Sequence, residues 1–370
     1  MHTEVLGRGD DGDASPTPRF AGSFGHHRAR DGSRGAPVAI DFDRPHAALV
    51  VGKRGYGKSY TLGVLAEAAA RTPGVAPVVI DPMGVFGGLA DDSGSGSVPA
   101  QVVDEPTIRA DAIPPASWPA LVGTDPDRPV GALVWHAASA ATTMGEMREA
   151  VASADAAADV RRAAGNRLRR AASWNVFDPA GLDARALADG AATVLDCSGL
   201  DDAPSNAVAA GVAAALYDGR LGRSTANDGG AEPRVDRLPW LFVDEAHVFF
   251  GGVASEPLRT ILTRGRAPGV SLVTATQRPS ALPEVAVSQS DLRIVHRLTA
   301  GSDVRALAAA DPAYVDGDLA ESMPTAPGEA LVVDDTAEAT RTVAVRTRDT
   351  PHGGASPRAS TAARAIETDE

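Results

Sequence analysis

Lysine is almost missing from this chain. Lysine and arginine together number 35 in 370 residues, yet only Lys53 and Lys58 are lysines. Cysteine is nearly as rare: Cys197 stands alone, which excludes an intramolecular disulfide and a cysteine-based zinc site. Aromatic residues make up 4% of the chain, so a core has to be built from Ala, Val and Leu. No apolar run approaches the roughly 18 residues of a membrane-spanning helix. The N-terminus also lacks the apolar segment of a secretory signal. These absences predict a soluble, cytoplasmic protein with no membrane partner. The net charge of −13 argues against a generally basic protein that coats nucleic acid, while leaving room for a local basic groove or pore.

The two lysines lie in one short segment, Gly52-Lys53-Arg54-Gly55-Tyr56-Gly57-Lys58-Ser59, followed by Tyr60. It fits the P-loop pattern G-x-x-x-x-G-K-[ST] of nucleotide triphosphatases. Gly52, Gly55 and Gly57 let backbone N–H groups turn inward around phosphate oxygens, above the N-terminus of a helix starting at Lys58. The compact ammonium of Lys58 suits a point contact between phosphates better than the planar fork of arginine does. Residues Gly52 to Tyr60 are therefore the candidate ATP-binding segment, and the Ser59 hydroxyl is placed to ligate Mg²⁺. The alternative is a glycine-rich turn without a ligand. Ala47-Ala48-Leu49-Val50-Val51 before it reads as a buried strand, and Leu62, Leu65 and Ala69 after it have helical spacing. That context favours the P-loop.

Apolar runs alternate with helical patterns along most of the chain. Strands are predicted at 78–81, 132–135, 193–196, 241–244, 271–276 and 293–298, with a closing hairpin from 329–333 and 342–345. Continuous apolar strands between helices imply an α/β fold whose mostly parallel sheet is covered on both faces. The Ala-rich stretch at about 140–190 reads as a helical insertion, and 91–97 and 222–236 read as flexible loops. Residues 1–36 are expected to be a disordered tail, 37–348 the folded domain, and 349–370 a second disordered tail. On that view His26 and His27 belong to a flexible segment rather than to a metal site.

Two further constellations carry chemistry. Leu241-Phe242-Val243-Asp244-Glu245 is a buried strand ending in adjacent carboxylates. Such burial is costly unless the groups have partners. Asp244 would join the Mg²⁺ shell and Glu245 would act as general base for the attacking water. The plainer reading is an acidic helix cap. Thr274-Ala275-Thr276-Gln277-Arg278-Pro279-Ser280 ends the next strand, and Gln277 there can bond both the γ-phosphate and the lytic water. His247 reads either as a relay or as a partly buried residue at a helix start.

Taken together, GKRGYGKSYTLG, FVDEAH and TATQRPS, with the closing phrase Pro324-Thr325-Ala326-Pro327-Gly328-Glu329-Ala330-Leu331-Val332, resemble the HerA/FtsK superfamily of ring-forming ATPases. The HerA branch is the most similar, over roughly residues 37–348. The resemblance implies a RecA-like, ATP- and Mg²⁺-dependent motor that assembles as a homo-hexameric ring. It also implies translocation along duplex DNA, helicase-type work in DNA processing, and a possible partner nuclease. It places Lys58 and Ser59 on the phosphate and Mg²⁺, Asp244 and Glu245 in the acidic pair, and Gln277 as sensor. Arg266, with Arg264 as the second choice, falls where the family puts an arginine that reaches a neighbour's ATP. A cationic helix C-terminal cap explains the same two residues equally well. HerA-like proteins usually carry a β-barrel ahead of the P-loop, and none is expected here. Two other functions remain open: a nucleotide-switched assembly module, and a secretion-type motor that moves protein. Arg161, Arg162, Arg167, Arg169 and Arg170 either line a pore or form a solvated helix face, the commoner role of such runs.

Overall fold

The computed structural model describes residues 2–8, 20–29, 32–91, 96–223, 234–310 and 319–354. Among them, twelve strands form one sheet in the order β1-β3-β2-β12-β11-β10-β4-β9-β8-β5-β7-β6. The strands are Glu4–Leu6 (β1), Ala21–Arg28 (β2), Arg34–Asp41 (β3), Ala47–Val51 (β4), Val75–Asp81 (β5), Ala100–Val103 (β6), Ala192–Asp196 (β7), Leu238–Val243 (β8), Ser271–Thr276 (β9), Leu292–Val295 (β10), Glu329–Asp334 (β11) and Ala339–Val345 (β12). From β10 to β6 all neighbours run parallel. The block from β10 through β11, β12, β2 and β3 is antiparallel. This is the mostly parallel α/β sheet of a RecA-like P-loop fold.

Burial on both faces explains the continuous apolar strands. Successive residues of β4 point to opposite faces: Leu49 and Val51 join one core cluster, Ala48 and Val50 the other. The first cluster packs against the helices Asp202–Leu221 and Ser255–Arg264 and the helical insertion. The second packs against the helix Lys58–Ala70 and the N-terminal strands. With so few aromatics, close helix–sheet approach comes from alanine: Ala207, Ala209, Ala210 and Ala213 of Asp202–Leu221 are fully buried.

Four expectations need correction. The run at 132–135 is not a strand but part of the helix Pro129–Ala140, whose buried residues Gly131, Val134, Ala137 and Ala138 recur every three to four positions. Proline at its first position suits a helix start. The helical insertion begins at Ala110, well before 140, and extends to Leu187 between β6 and β7. The N-terminal stretch is not a uniform tail, since β1, β2 and β3 add to the sheet. β2 escaped notice because its only large apolar residue is Phe24, which is fully buried among Gly, Ser and His. There His27 lies 2.5 Å from Glu4, and His26 contacts Arg34. The expected C-terminal tail is packed through residue 354, because Asp349 and Thr350 bond the buried Glu67. Residues 1, 9–19, 30, 31 and 355–370 of the two expected tails lie outside the described residues, as do 92–95 and 224–233 of the two expected loops.

Candidate nucleotide site

The register of the central strands brings the three motifs to one edge. Val51 of β4 is level with Thr276 of β9 and Val295 of β10. Val243 of β8 is level with Thr274 of β9. Gly52, Asp244 and Gln277 therefore all leave the sheet at the C-terminal ends of parallel strands, where open α/β sheets form their ligand crevices. The crevice is a cleft of about 950 Å³ lined by Arg54 to Tyr60, Glu245, His247 and Gln277, among others.

Gly55 and Gly57 take positive φ, 80° and 107°, as the inward-facing P-loop requires. Gly52 passes so close to β10 that a Cβ there would lie 2.6 Å from the Cβ of His296. His296 is itself pinned. Its Nδ1 donates to the Glu329 carbonyl at 2.8 Å, leaving Nε2 to accept from the Thr61 hydroxyl at 2.9 Å. Burial holds this imidazole down at about 4, so it is neutral. Lys53 lies over the Tyr56 ring, its Nζ 4.4 Å from the centroid. Lys58 is 6% exposed. Burial lowers its pKa, against the upward pull of Glu245 and Asp244.

Ser59 Oγ donates to Asp244 Oδ2 at 2.7 Å, and the Glu245 N–H donates to Asp244 Oδ1 at 2.9 Å. Two hard oxygen donors held together beside the P-loop suit Mg²⁺, which binds through few carboxylates plus phosphate and water. Asp244 is fully buried, and burial raises its pKa. Glu245 sits in the left-handed region, φ 46° and ψ 43°, a strained conformation for a non-glycine residue. That turn points its carboxylate into the cleft. Oε1 accepts from Gln277 Nε2 at 3.4 Å, while Oε2 is buried with no hydrogen-bond partner. His247 Nδ1 is 3.4 Å from Oε2, but its hydrogen bond goes to Thr276 Oγ1 at 3.2 Å. Burial raises the Glu245 pKa, and Lys58 and Gln277 pull it back.

Residues 24–179 match the family model described as "Helicase HerA, central domain". That match spans 156 of the 370 residues, and over that stretch the chain is similar to the HerA branch of the P-loop ATPases. No curated protein sequence matches it. Among solved structures it is similar to VirB4 of Thermoanaerobacter pseudethanolicus. The identity is 17% with a TM-score of 0.64, over 89% of this chain and 97% of that one. A looser overlap is found with the bacterial conjugative coupling protein TrwBdeltaN70, at 17% identity and TM-score 0.48 over 93% and 94% of the two chains. The genome packaging NTPase B204 from Sulfolobus turreted icosahedral virus 2, in complex with AMPPCP, overlaps at 12% identity and TM-score 0.40 over 81% and 96%.

The remaining expected residues fall in separate places. Arg266 and Arg264 are exposed, and neither has a side-chain partner among the described residues. Arg266 precedes β9, at the N-terminal edge of the parallel strands, whereas the cleft is at the opposite edge. Of the arginine cluster on Ala158–Ala172, Arg161, Arg167 and Arg169 spend their guanidinium groups on nearby backbone carbonyls or on Asn166. No described helix is long and apolar enough to cross a membrane. Sequence reasoning missed His352, Gly354, Met83 and Val85 on the cleft wall. It also missed Pro327 and Gly328 as wall residues, although the closing phrase contains them.

Proposed function

We propose that this chain hydrolyses Mg·ATP as the subunit of a HerA-type homo-hexameric motor that moves duplex DNA in the cytoplasm. The observation that carries the catalytic half is Glu245 Oε2, which accepts no hydrogen bond among the described residues although buried in a cleft with Lys58, close to the Ser59–Asp244 pair. Orphaned carboxylate oxygens in a cleft are uncommon and mark groups kept for another partner. Here the partner is the lytic water.

P-loop amides and Lys58 hold the β- and γ-phosphates. Ser59 and Asp244 would hold Mg²⁺, which supplies charge neutralisation on the phosphate oxygens when bound. Glu245 accepts the proton of the attacking water. Its raised pKa brings it closer to the pH at which a general base works well. Gln277, already bonded to Glu245, orients that water and senses the γ-phosphate. Arg266, remote from its own cleft and unpaired, serves the ATP of an adjacent subunit.

DNA as the track rests on the match to the HerA central domain, and a nuclease partner on the same footing. ATP turnover measured with and without duplex DNA, alongside the mass of the nucleotide-bound species, tests the motor. Stimulation by DNA in a hexamer supports it. Turnover indifferent to DNA favours the assembly switch or the protein-moving motor instead, and a monomer in ATP removes the role of Arg266.

A further inference from the structure

The C-terminal segment 346–354 is built into the nucleotide cleft, and no motif assigns it a task. Its anchor is Glu67, buried in the last turn of the P-loop helix Lys58–Ala70. Glu67 accepts from the Thr350 N–H at 3.0 Å, the Thr350 hydroxyl at 2.6 Å and the Asp349 N–H at 3.2 Å. It also pairs with Arg346 at 2.8 Å and Arg348 at 3.4 Å. Space for the segment is reserved on both sides. A Cβ on Gly63 would lie 2.6 Å from the Arg348 guanidinium, and one on Gly88 would lie 2.3 Å from the Pro351 carbonyl oxygen. Further along, the Arg348 N–H donates to the Tyr60 hydroxyl at 2.7 Å, and the Gly353 N–H to the Val85 carbonyl at 3.2 Å. The segment is a strap fixed to the same helix that carries Lys58 and Ser59.

This strap delivers the His352 ring to the cleft wall, edge-on to Tyr60 with centroids 5.5 Å apart and planes at 85°. Arg348 Nη1 donates to His352 Nδ1 at 3.1 Å, fixing the ring's tautomer and orientation. The cleft needs a wall for the flat end of a nucleotide. Glu245 and Gln277 mark the γ-phosphate end, and His247 and Phe249 follow Glu245 there. Tyr56 is occupied by Lys53. Among the described residues of the cleft wall, Tyr60 and His352 are the aromatic rings that remain. We infer that Tyr60 and His352 form the base platform of this site, with the strap holding the nucleobase against the P-loop helix. A base there lies on the face of one ring and against the edge of the other, an arrangement that tolerates any base because every base has a π-face.

The inference rests on the nucleotide-binding reading, so the experiment separates the two. Calorimetric titrations with ATP and with inorganic tripolyphosphate compare the wild-type chain, His352→Ala and His352→Phe. His352→Ala should weaken ATP by about 5- to 100-fold, the range of a lost base–aromatic stack. It should leave tripolyphosphate within about twofold, and His352→Phe should recover most of the ATP affinity. ATP affinity unchanged in His352→Ala overturns the platform alone. An equal loss for tripolyphosphate also overturns it, because the strap then acts only by bracing the P-loop. A wild-type chain that binds neither ligand removes the nucleotide reading and the platform together.

Discussion

Replacing Glu67 by alanine removes the buried carboxylate that anchors the C-terminal strap, leaving the more exposed Arg71–Asp349 pair at 2.6 Å. Glu67 is fully buried, and its partners Arg348 and Arg346 are 1% and 13% exposed. Solvent has little access to the Arg348 guanidinium, and more to that of Arg346. The substitution takes the carboxylate from the buried Arg348, from the Asp349 and Thr350 N–H groups and from the Thr350 hydroxyl, while Arg346 keeps Asp349 at 3.3 Å. Breaking a buried pair by removing one member costs about 3–5 kcal/mol, because the other charge stays buried. Unfolding entropy of about 2.1 cal/mol/K per residue comes to roughly 0.8 kcal/mol/K for a chain of this length, so Tm should fall by about 4–6 °C. Differential scanning fluorimetry at neutral pH reads this directly. Glu67→Gln, which keeps the carbonyl acceptor for Thr350, should lose less. The carboxyl is held below its ordinary value of 4.5, with the bonds from Thr350 and Asp349 and the nearby Arg346 outweighing burial. Its stabilisation is therefore fully present above about pH 4.5 and disappears as pH falls through the lower folded value. The difference between wild type and variant should shrink in acid. A Tm change under 1 °C at neutral pH, or a gap that widens on acidification, would refute the anchoring role.

Lys58→Ala should abolish ATP binding in calorimetry, since it removes the ammonium from the phosphate cradle. Glu245→Gln should retain ATP binding while single-turnover hydrolysis falls by about 10²- to 10⁴-fold, the usual loss of a general base; unchanged turnover would clear Glu245 of that task. Arg266→Ala should slow hydrolysis only in the assembled form, read as turnover across a dilution series, and mixing with intact subunits should restore part of it. His46 carries a pH dependence of opposite sign to Glu67. Burial lowers its pKa, but Asp291, 2.9 Å away, and Asp41, 3.9 Å away, outweigh it and raise the imidazole to about 9. Its contribution is complete below the unfolded value of about 6.5 and fades as pH rises through 9. The urea midpoint should drop over that window in the wild type and stay flatter in His46→Gln.

Much of the central sheet was legible because β4, β5, β7, β8, β9 and β10 are buried on both faces, which forces continuous apolar runs. The site was legible for a related reason. Lys58, Ser59, Asp244, Glu245 and Gln277 directly follow or lie just beyond such runs, so finding the strands found the cleft edge. The tetrad 132–135 misled because four adjacent apolar residues fit a strand and a helix equally well, and only the wider spacing of Gly131, Val134 and Ala138 decides between them. β2 and β3 hid because Gly, Ser, His and an internal Pro37 carry little strand signal, and partners distant in the chain, such as Val343 against His27, make the strand. His352 was invisible for a similar reason. Its position is set by Glu67, 285 residues earlier in the numbering by direct subtraction, and polar tails give no periodicity from which to read such a bond.

The central claim is that one cleft, built from the P-loop and the two following strand ends, binds and hydrolyses ATP. Phosphate release from Mg·ATP by the purified chain, run in parallel with the Lys58→Ala variant at the same concentration, tests it most directly. The account predicts steady release by the wild type and none above background by the variant. Equal release by both, or none by a wild-type chain shown to be folded and assembled, would contradict it.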